Sequence, residues 1–280
     1  MSEFFLELFS EEIPADLQSV ARENIISGFK NLFEKEDITY KGLVKSFSTP
    51  NRLIVYFQNI KPAVLKKSAE IRGPNIAAPK EALEGFIKSN HIEKKKIFKK
   101  KTDKGEFYFF VKPSKKIKTS DLLNINIPSV LDKIPWKKSM KWGEFSLYWG
   151  RPLKSILAVL DGKQLHFKFH HLSSTNTTFI DKEFEEKKKI FNSYKSYIAY
   201  FKKLGVIIDN DLRKQFIAKS LFKISNKKNL KININNKLLS EVNSIVEKPK
   251  IISCTFDKKF LAVPKEILII TMQQHQKYFP

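Results

Sequence analysis

The chain has 280 residues, 42% of them hydrophobic and 24 of them Phe, which excludes wholesale disorder and is enough for one or two domains with a sizeable core. Its net charge of +23 points to a polyanionic partner such as RNA, yet only five of the 52 basic residues are Arg (Arg22, Arg52, Arg72, Arg151 and Arg213), so part of the charge reads as lysine spread over solvated faces. No apolar run is long enough to span a membrane, the N-terminus has no secretory pattern, and the single cysteine, Cys254, excludes an internal disulfide framework and fits a reducing cytosol.

In chain order, Phe4 to Phe9 predicts a strand, which Ser10-Glu11-Glu12-Ile13-Pro14 breaks. Pro14 suits a helix start, and Leu17, Val20, Ala21, Ile25, Phe29, Leu32 and Phe33 follow at helical spacing, so an amphipathic helix is expected over 15–35. Leu43 to Phe47 and Leu53 to Phe57 read as strands. Pro62 to Pro79 reads as irregular, with a turn at Arg72-Gly73-Pro74. A short helix over Pro79–Ser89, a charge run over Lys94–Lys101, a strand over Gly105–Val111 and a helix over Ser120–Lys133 come next. Trp136 to Gly143 is a loop of basic and aromatic residues. Ser155–Leu160 and Gln164–Phe169 flank Asp161-Gly162, a strong hairpin signal. Residues 181–204, 209–224 and 237–246 then read as helices, and a closing strand leads into an amphipathic helix over 264–278. The expected class is α+β, strand-rich over 1–180 and mainly helical over 181–280.

Motifs for nucleotide binding or nucleophilic catalysis are absent from the sequence: there is no phosphate loop, no dinucleotide fingerprint and no nucleophile elbow. His166 and His170 fall on one face of an expected strand and His171 on the other, a poor metal site without a nearby carboxylate. Cys254 reads as a buried strand residue; Glu11 and Glu12 fit acid-base work, a partner contact or, the favoured reading, carboxylates stabilised by the following helix N-terminus. Two basic segments have two readings each. Lys94–Lys101 with Lys112, Lys115, Lys116 and Lys118 fits either a phosphate backbone or a hairpin edge protected against pairing. In the 136–143 loop, Trp136 and Trp142 among Lys137, Lys138 and Lys141 fit either stacking on splayed bases or anchoring of the loop in the core.

Several blocks run in order along the whole chain: Phe4-Phe-Leu-Glu-Leu-Phe-Ser-Glu-Glu-Ile-Pro-Ala15, Thr49-Pro-Asn-Arg-Leu53, Arg72-Gly-Pro74, Ala82-Leu-Glu-Gly-Phe86, Lys138-Ser-Met-Lys-Trp-Gly143, Arg151-Pro152, Val246-Glu-Lys-Pro249 and Met272-Gln-Gln-His-Gln-Lys-Tyr-Phe-Pro280. Together they resemble the β subunit of bacterial heterotetrameric glycyl-tRNA synthetase. Asn51 stands where that family has Arg, and Thr177–Phe184 replaces an Arg- and His-containing stretch, which puts any contact made there in relatives in question. The resemblance implies a tRNA-binding and assembly portion of a ligase that joins glycine to tRNA(Gly). It also implies a class II catalytic core, with its ATP and Mg, on a separate α subunit; the expected assembly is α2β2 and the expected location cytoplasmic. No catalytic, metal or cofactor residue is expected in this segment, and neither DNA nor membrane is an implied partner. The RNA- or partner-contact candidates are Arg52, Arg72, Lys138, Lys141, Trp142, Arg151, His275 and Lys277. The resemblance also implies a longer subunit, of which this chain would be an N-terminal portion. The alternative is a stand-alone RNA-binding module without a role in aminoacylation.

Overall fold

A computed structural model of the protein describes residues 2–180 and 187–280. Its strands are β1 (Glu3–Ser10), β2 (Val44–Ser48), β3 (Arg52–Gln58), β4 (Ala63–Lys66), β5 (Ala69–Asn75), β6 (Ile97–Thr102), β7 (Gly105–Lys112), β8 (Lys115–Lys118), β9 (Met140–Lys141), β10 (Tyr148–Trp149), β11 (Leu153–Leu160), β12 (Lys163–Gln164), β13 (Lys168–Phe169), β14 (Leu172–Thr175), β15 (Thr177–Phe179) and β16 (Lys188–Ile190). Its α-helices are α1 (Ala15–Lys35), α2 (Lys80–Asn90), α3 (Thr119–Asp132), α4 (Tyr194–Lys203), α5 (Asn210–Lys227), α6 (Asn236–Ile245) and α7 (Lys265–Ile270). The class is α+β, as the sequence pattern predicts. The chain divides into two compact units, one of residues 1–61 and 122–280 and one of residues 62–121. The boundary expected near 180 falls inside the first unit.

The first unit is built on a seven-stranded sheet with the order β13-β14-β11-β1-β3-β2, and β12 pairs with β11. β11 and β14 run parallel; the other pairings are antiparallel. β1 lies in the middle, and its unbroken apolar run reflects burial on both faces. On one face Phe4 meets Phe29 of α1 at 5.1 Å between ring centroids. On the other, Phe5 meets Tyr197 of α4 at 4.8 Å. Phe47, Ile54, Leu157, Phe191 and Phe201 complete this second layer of core. Asp161 and Gly162 both take positive φ, 50° and 77°, and close the β11–β12 hairpin as the dipeptide predicts.

α5 and α6 form a smaller core of Ile217, Leu221 and Leu239, against which Phe279 packs. Asp209 and Asn235 cap these helices through their side-chain oxygens. Arg213 of α5 is buried and spends its donors on backbone carbonyls. Nε donates to Asn243 O at 3.0 Å, Nη1 to Ile207 O at 2.6 Å and Nη2 to Ser48 O at 2.9 Å. Desolvation pushes its guanidinium down to about 10, and Glu247 acts in the opposite sense.

The second unit contains a three-stranded sheet of order β5-β7-β6, a β4–β8 ribbon and α2. The turn expected at Arg72-Gly73-Pro74 is instead part of β5. The register shifts between Arg72 and Asn75, and Pro74 sits inside that irregularity, where no ladder donor is required. Gly73 lies under the Phe86 ring, since a Cβ there would come within 2.8 Å of it. Two separate sequence blocks, Arg72-Gly-Pro74 and Ala82–Phe86, are thus halves of one contact.

Other expectations change. Pro62–Pro79 is not irregular but supplies β4 and β5. The helix expected over 181–204 begins only at Tyr194, because the Ser193 side chain caps it and Lys188–Ile190 pairs instead with Thr177–Phe179. Its residues 181–186 lie outside the described residues. Ile251 to Phe256 forms no strand: its β-branched residues find no partner edge, and propensity alone does not make a strand. Cys254, read as a buried strand residue, is consequently exposed. The closing helix is shorter than 264–278: α7 stops at Ile270 and a π turn follows over Thr271–His275.

Candidate nucleic-acid interface

Three of the sequence blocks meet in the core of the first unit. Glu7 comes from the first block, Arg52 from the second and Glu247 from Val246-Glu-Lys-Pro249. Glu7 points from β1 to the face covered by α4. There its Oε2 accepts from Arg52 Nη1 at 2.9 Å and from the Tyr197 hydroxyl, and its Oε1 accepts from the Thr178 hydroxyl. Arg52 Nη2 donates to Phe179 O at 2.7 Å, and its guanidinium lies 4.3 Å from the Phe201 ring centroid. Glu247 Oε2 approaches Arg52 Nε at 3.7 Å. Burial is the largest influence on Arg52 and opposes its charge, but Glu7, Tyr197 and Glu247 together outweigh it and hold the guanidinium above its ordinary value. Burial and the same carboxylate push the Tyr197 phenol well up. Arg52 is 2% exposed, so its group is committed to the core. Removing one member of such a pair typically costs about 3–5 kcal/mol, because the other charge is left buried and unpaired.

The exposed chemistry lies on the segment after α3. Trp136 is half-buried and lies over Gly150, where a Cβ would overlap its ring; it also meets Trp149 at 5.0 Å. Trp149 is buried and meets Phe169 edge-on at 5.8 Å. These rings fix the base of a hairpin. Above them β9 pairs with β10, so that Lys141 lies opposite Tyr148 and Met140 opposite Trp149. At the tip, Phe145 N–H donates to Trp142 O at 3.2 Å, with Gly143 at φ 53°.

The tip is held from one side by two histidines. His171 stacks on Phe145 with centroids 3.7 Å apart and planes within 8°. Ser146 Oγ and His170 Nδ1 are 2.9 Å apart, and His170 Nε2 is 2.9 Å from Asp132 Oδ1. Partial burial, and then the neighbouring His170, hold His171 below its ordinary value. The sequence pattern placed these histidines on a strand without a nearby carboxylate. Instead His170 occupies a turn at φ 51° and faces Asp132. No group of three or more metal-ligating side chains forms among the described residues.

The outer surface of the hairpin is apolar and basic together. Trp142 is 55% exposed, Tyr148 64%, Phe145 42% and Met140 41%, and the lysines 137, 138 and 141 lie among them, free of ion pairs among the described residues. Arg151 is half-buried, with Nη1 3.4 Å from Gly150 O. Exposed rings beside cations can stack on unpaired bases while the cations neutralise phosphates. Trp136 therefore follows the anchoring reading and Trp142 the exposed one.

Four of the eight candidates, Lys138, Lys141, Trp142 and Arg151, share this hairpin. The others lie elsewhere. Arg52 is in the core. Arg72 is exposed in the second unit, over the Phe107 ring at 3.7 Å. His275 is exposed in the π turn, and Lys277, at φ 57°, pairs with Glu241 of α6 at 2.8 Å. Phe145, Tyr148 and Met140 do not stand out in the sequence, although the aromatic spacing after Gly143 is the available signal.

The family model described as glycyl-tRNA synthetase beta subunit matches residues 4–280. The chain is 36% identical over 284 residues to the glycine–tRNA ligase beta subunit of Rickettsia felis, 34% over 279 residues to that of Rickettsia canadensis, and 36% over 279 residues to that of Rickettsia bellii. In each case the match covers 100% of this chain and 42% of the relative, so the chain spans less than half the length of these relatives. With a match running through the core blocks and the hairpin alike, the chain belongs to the glycyl-tRNA synthetase beta subunit family.

Proposed function

We propose that the chain is the non-catalytic, tRNA-binding and assembly portion of a glycine–tRNA ligase, working in the cytoplasm in an α2β2 assembly. On this reading the α subunit carries the catalytic core, with ATP and Mg, and tRNA(Gly) is the shared substrate. The observation that carries the reading is the hairpin: Lys138, Lys141 and Trp142 of the Lys-Ser-Met-Lys-Trp-Gly block stand exposed beside Phe145 and Tyr148. Their chemistry suits a splayed nucleotide and its phosphates.

The test combines the full-length subunit with its α partner and measures glycyl-tRNA formation. Stimulation over the α subunit alone is expected; an α subunit fully active by itself would overturn the assignment. In the same preparation, Lys138→Gln with Lys141→Gln is expected to weaken tRNA binding. It should also flatten the log–log salt dependence by roughly 0.7–0.9 for each phosphate no longer neutralised. An unchanged slope would return these lysines to a solvation role. RNA binding without any stimulation of glycylation would favour a stand-alone RNA-binding module.

A further inference from the structure

The positive charge of this chain is concentrated. Residues 62–121, the second unit, hold 16 Lys and Arg against 7 Asp and Glu, an excess of nine in 60 residues out of +23 in all 280. Uniform drift toward lysine would place only about five of those charges there, by simple proportion to the chain's +23. The structure sorts these lysines into paired and unpaired. Lys95 and Lys96 pair with Glu93, and Lys100 pairs with Glu70. Lys94, Lys99, Lys101, Lys115, Lys116 and Lys118 form no ion pair among the described residues, and all are exposed.

Their placement is regular. β6 is the edge strand of the β5-β7-β6 sheet, and Lys99 and Lys101 share one of its faces, ~6.8 Å apart by strand geometry. Lys99 lies opposite Tyr108; Lys101 lies opposite Glu106 without forming an ion pair with it. On the β4–β8 ribbon, Lys116 and Lys118 share one face, while Lys115, opposite Lys66, is on the other. β8 is likewise an edge, of the two-stranded β4–β8 ribbon, and edge protection needs only one or two lysines on each edge, fewer than these two segments carry.

We infer that the second unit carries its own polyanion-binding surface, which takes the phosphate backbone of single-stranded RNA without regard to sequence through Lys94, Lys99 and Lys101 on one segment and Lys116 and Lys118 on another. The inference rests on reading the chain as one that contacts RNA, but not on aminoacylation. Two Lys→Gln variants of the full chain, a triple one at Lys94, Lys99 and Lys101 and a double one at Lys116 and Lys118, are titrated into a labelled mixed-sequence single-stranded RNA across a KCl series. They are expected to flatten the log–log salt slope by about 2 and about 1.4 respectively, at ~0.7 per phosphate. Far-UV circular dichroism establishes that the exposed substitutions leave the fold intact. Slopes unchanged in both folded variants would overturn the surface. So would binding to phosphatidylserine vesicles that exceeds RNA binding and is abolished in the same variants. Loss of tRNA charging with intact binding to this RNA would sink the aminoacylation reading and leave the surface standing.

Discussion

Arg52 and Lys138 are both basic residues in ordered sequence blocks, and burial gives them opposite roles. Arg52 is enclosed by Glu7, Thr178, Tyr197 and the Phe9 and Phe201 rings; Lys138 stands in solvent. Tyr197 of this network, with two tyrosines outside it, makes stability sensitive to alkali. Burial raises the phenols of Tyr56, to about 12, and of Tyr194 and Tyr197, so each stabilises the fold fully below the unfolded value near 10. That contribution is lost as pH rises from about 10 through the folded values. Arg213, held down at about 10, acts in the opposite sense over the same window. Tyr197→Phe should therefore melt lower than wild type at pH 8, through loss of a hydrogen bond to a carboxylate worth ~1.5–3 kcal/mol, yet lose less stability between pH 10 and 11.5. Equal alkaline losses in melting curves of the two proteins would show that Tyr197 is not the titrating group.

At the scale of elements, the hairpin over 136–149 shows what the sequence does and does not distinguish. Two tryptophans separated by five residues in a lysine-rich loop are equivalent by composition. Gly150 decides between them: lacking a side chain, it admits the Trp136 ring and leaves Trp142 outside. Gly150→Ala is expected to cost about 1–3 kcal/mol, the usual range for overpacking, and to lower RNA affinity by loosening the base of the hairpin. Urea denaturation and RNA titration of the variant check this; wild-type values in both would mean that the Trp136 contact does not organise the hairpin. The histidines show the converse case. Alternation placed His166, His170 and His171 on one strand, but His170 takes a left-handed conformation that ends any such alternation and turns it toward Asp132 and Ser146.

Across the whole molecule, stability should follow the buried sheet. Native-state hydrogen exchange is expected to show the slowest amides in β1, which is covered on both faces. The fastest should lie in Ile252–Thr255, which are exposed and belong to no ladder. Protection of Ile252–Thr255 equal to that of β1 would restore the strand that the sequence pattern placed there. The segment is nonetheless tied down beyond this stretch, by Lys277 on Glu241 and Phe279 on Ile217, Leu221 and Leu239.

By itself the sequence determined the elements whose signals are local: β1, α1, β2, β3, the Asp161-Gly162 hairpin and the capped helices α5 and α6. It also carried the family through short blocks in order. The tertiary structure decided what depends on partners distant in the chain. Glu7, Arg52, Thr178 and Tyr197 become one buried cluster only when β1, β3, β15 and α4 are packed together. Gly73 and Phe86 become one contact, and Ile251–Phe256 remains without a strand for want of an edge to pair with. Periodicity and turn chemistry act over a few residues, whereas burial, pairing and charge compensation are set by whichever groups the folded chain brings within a few ångströms.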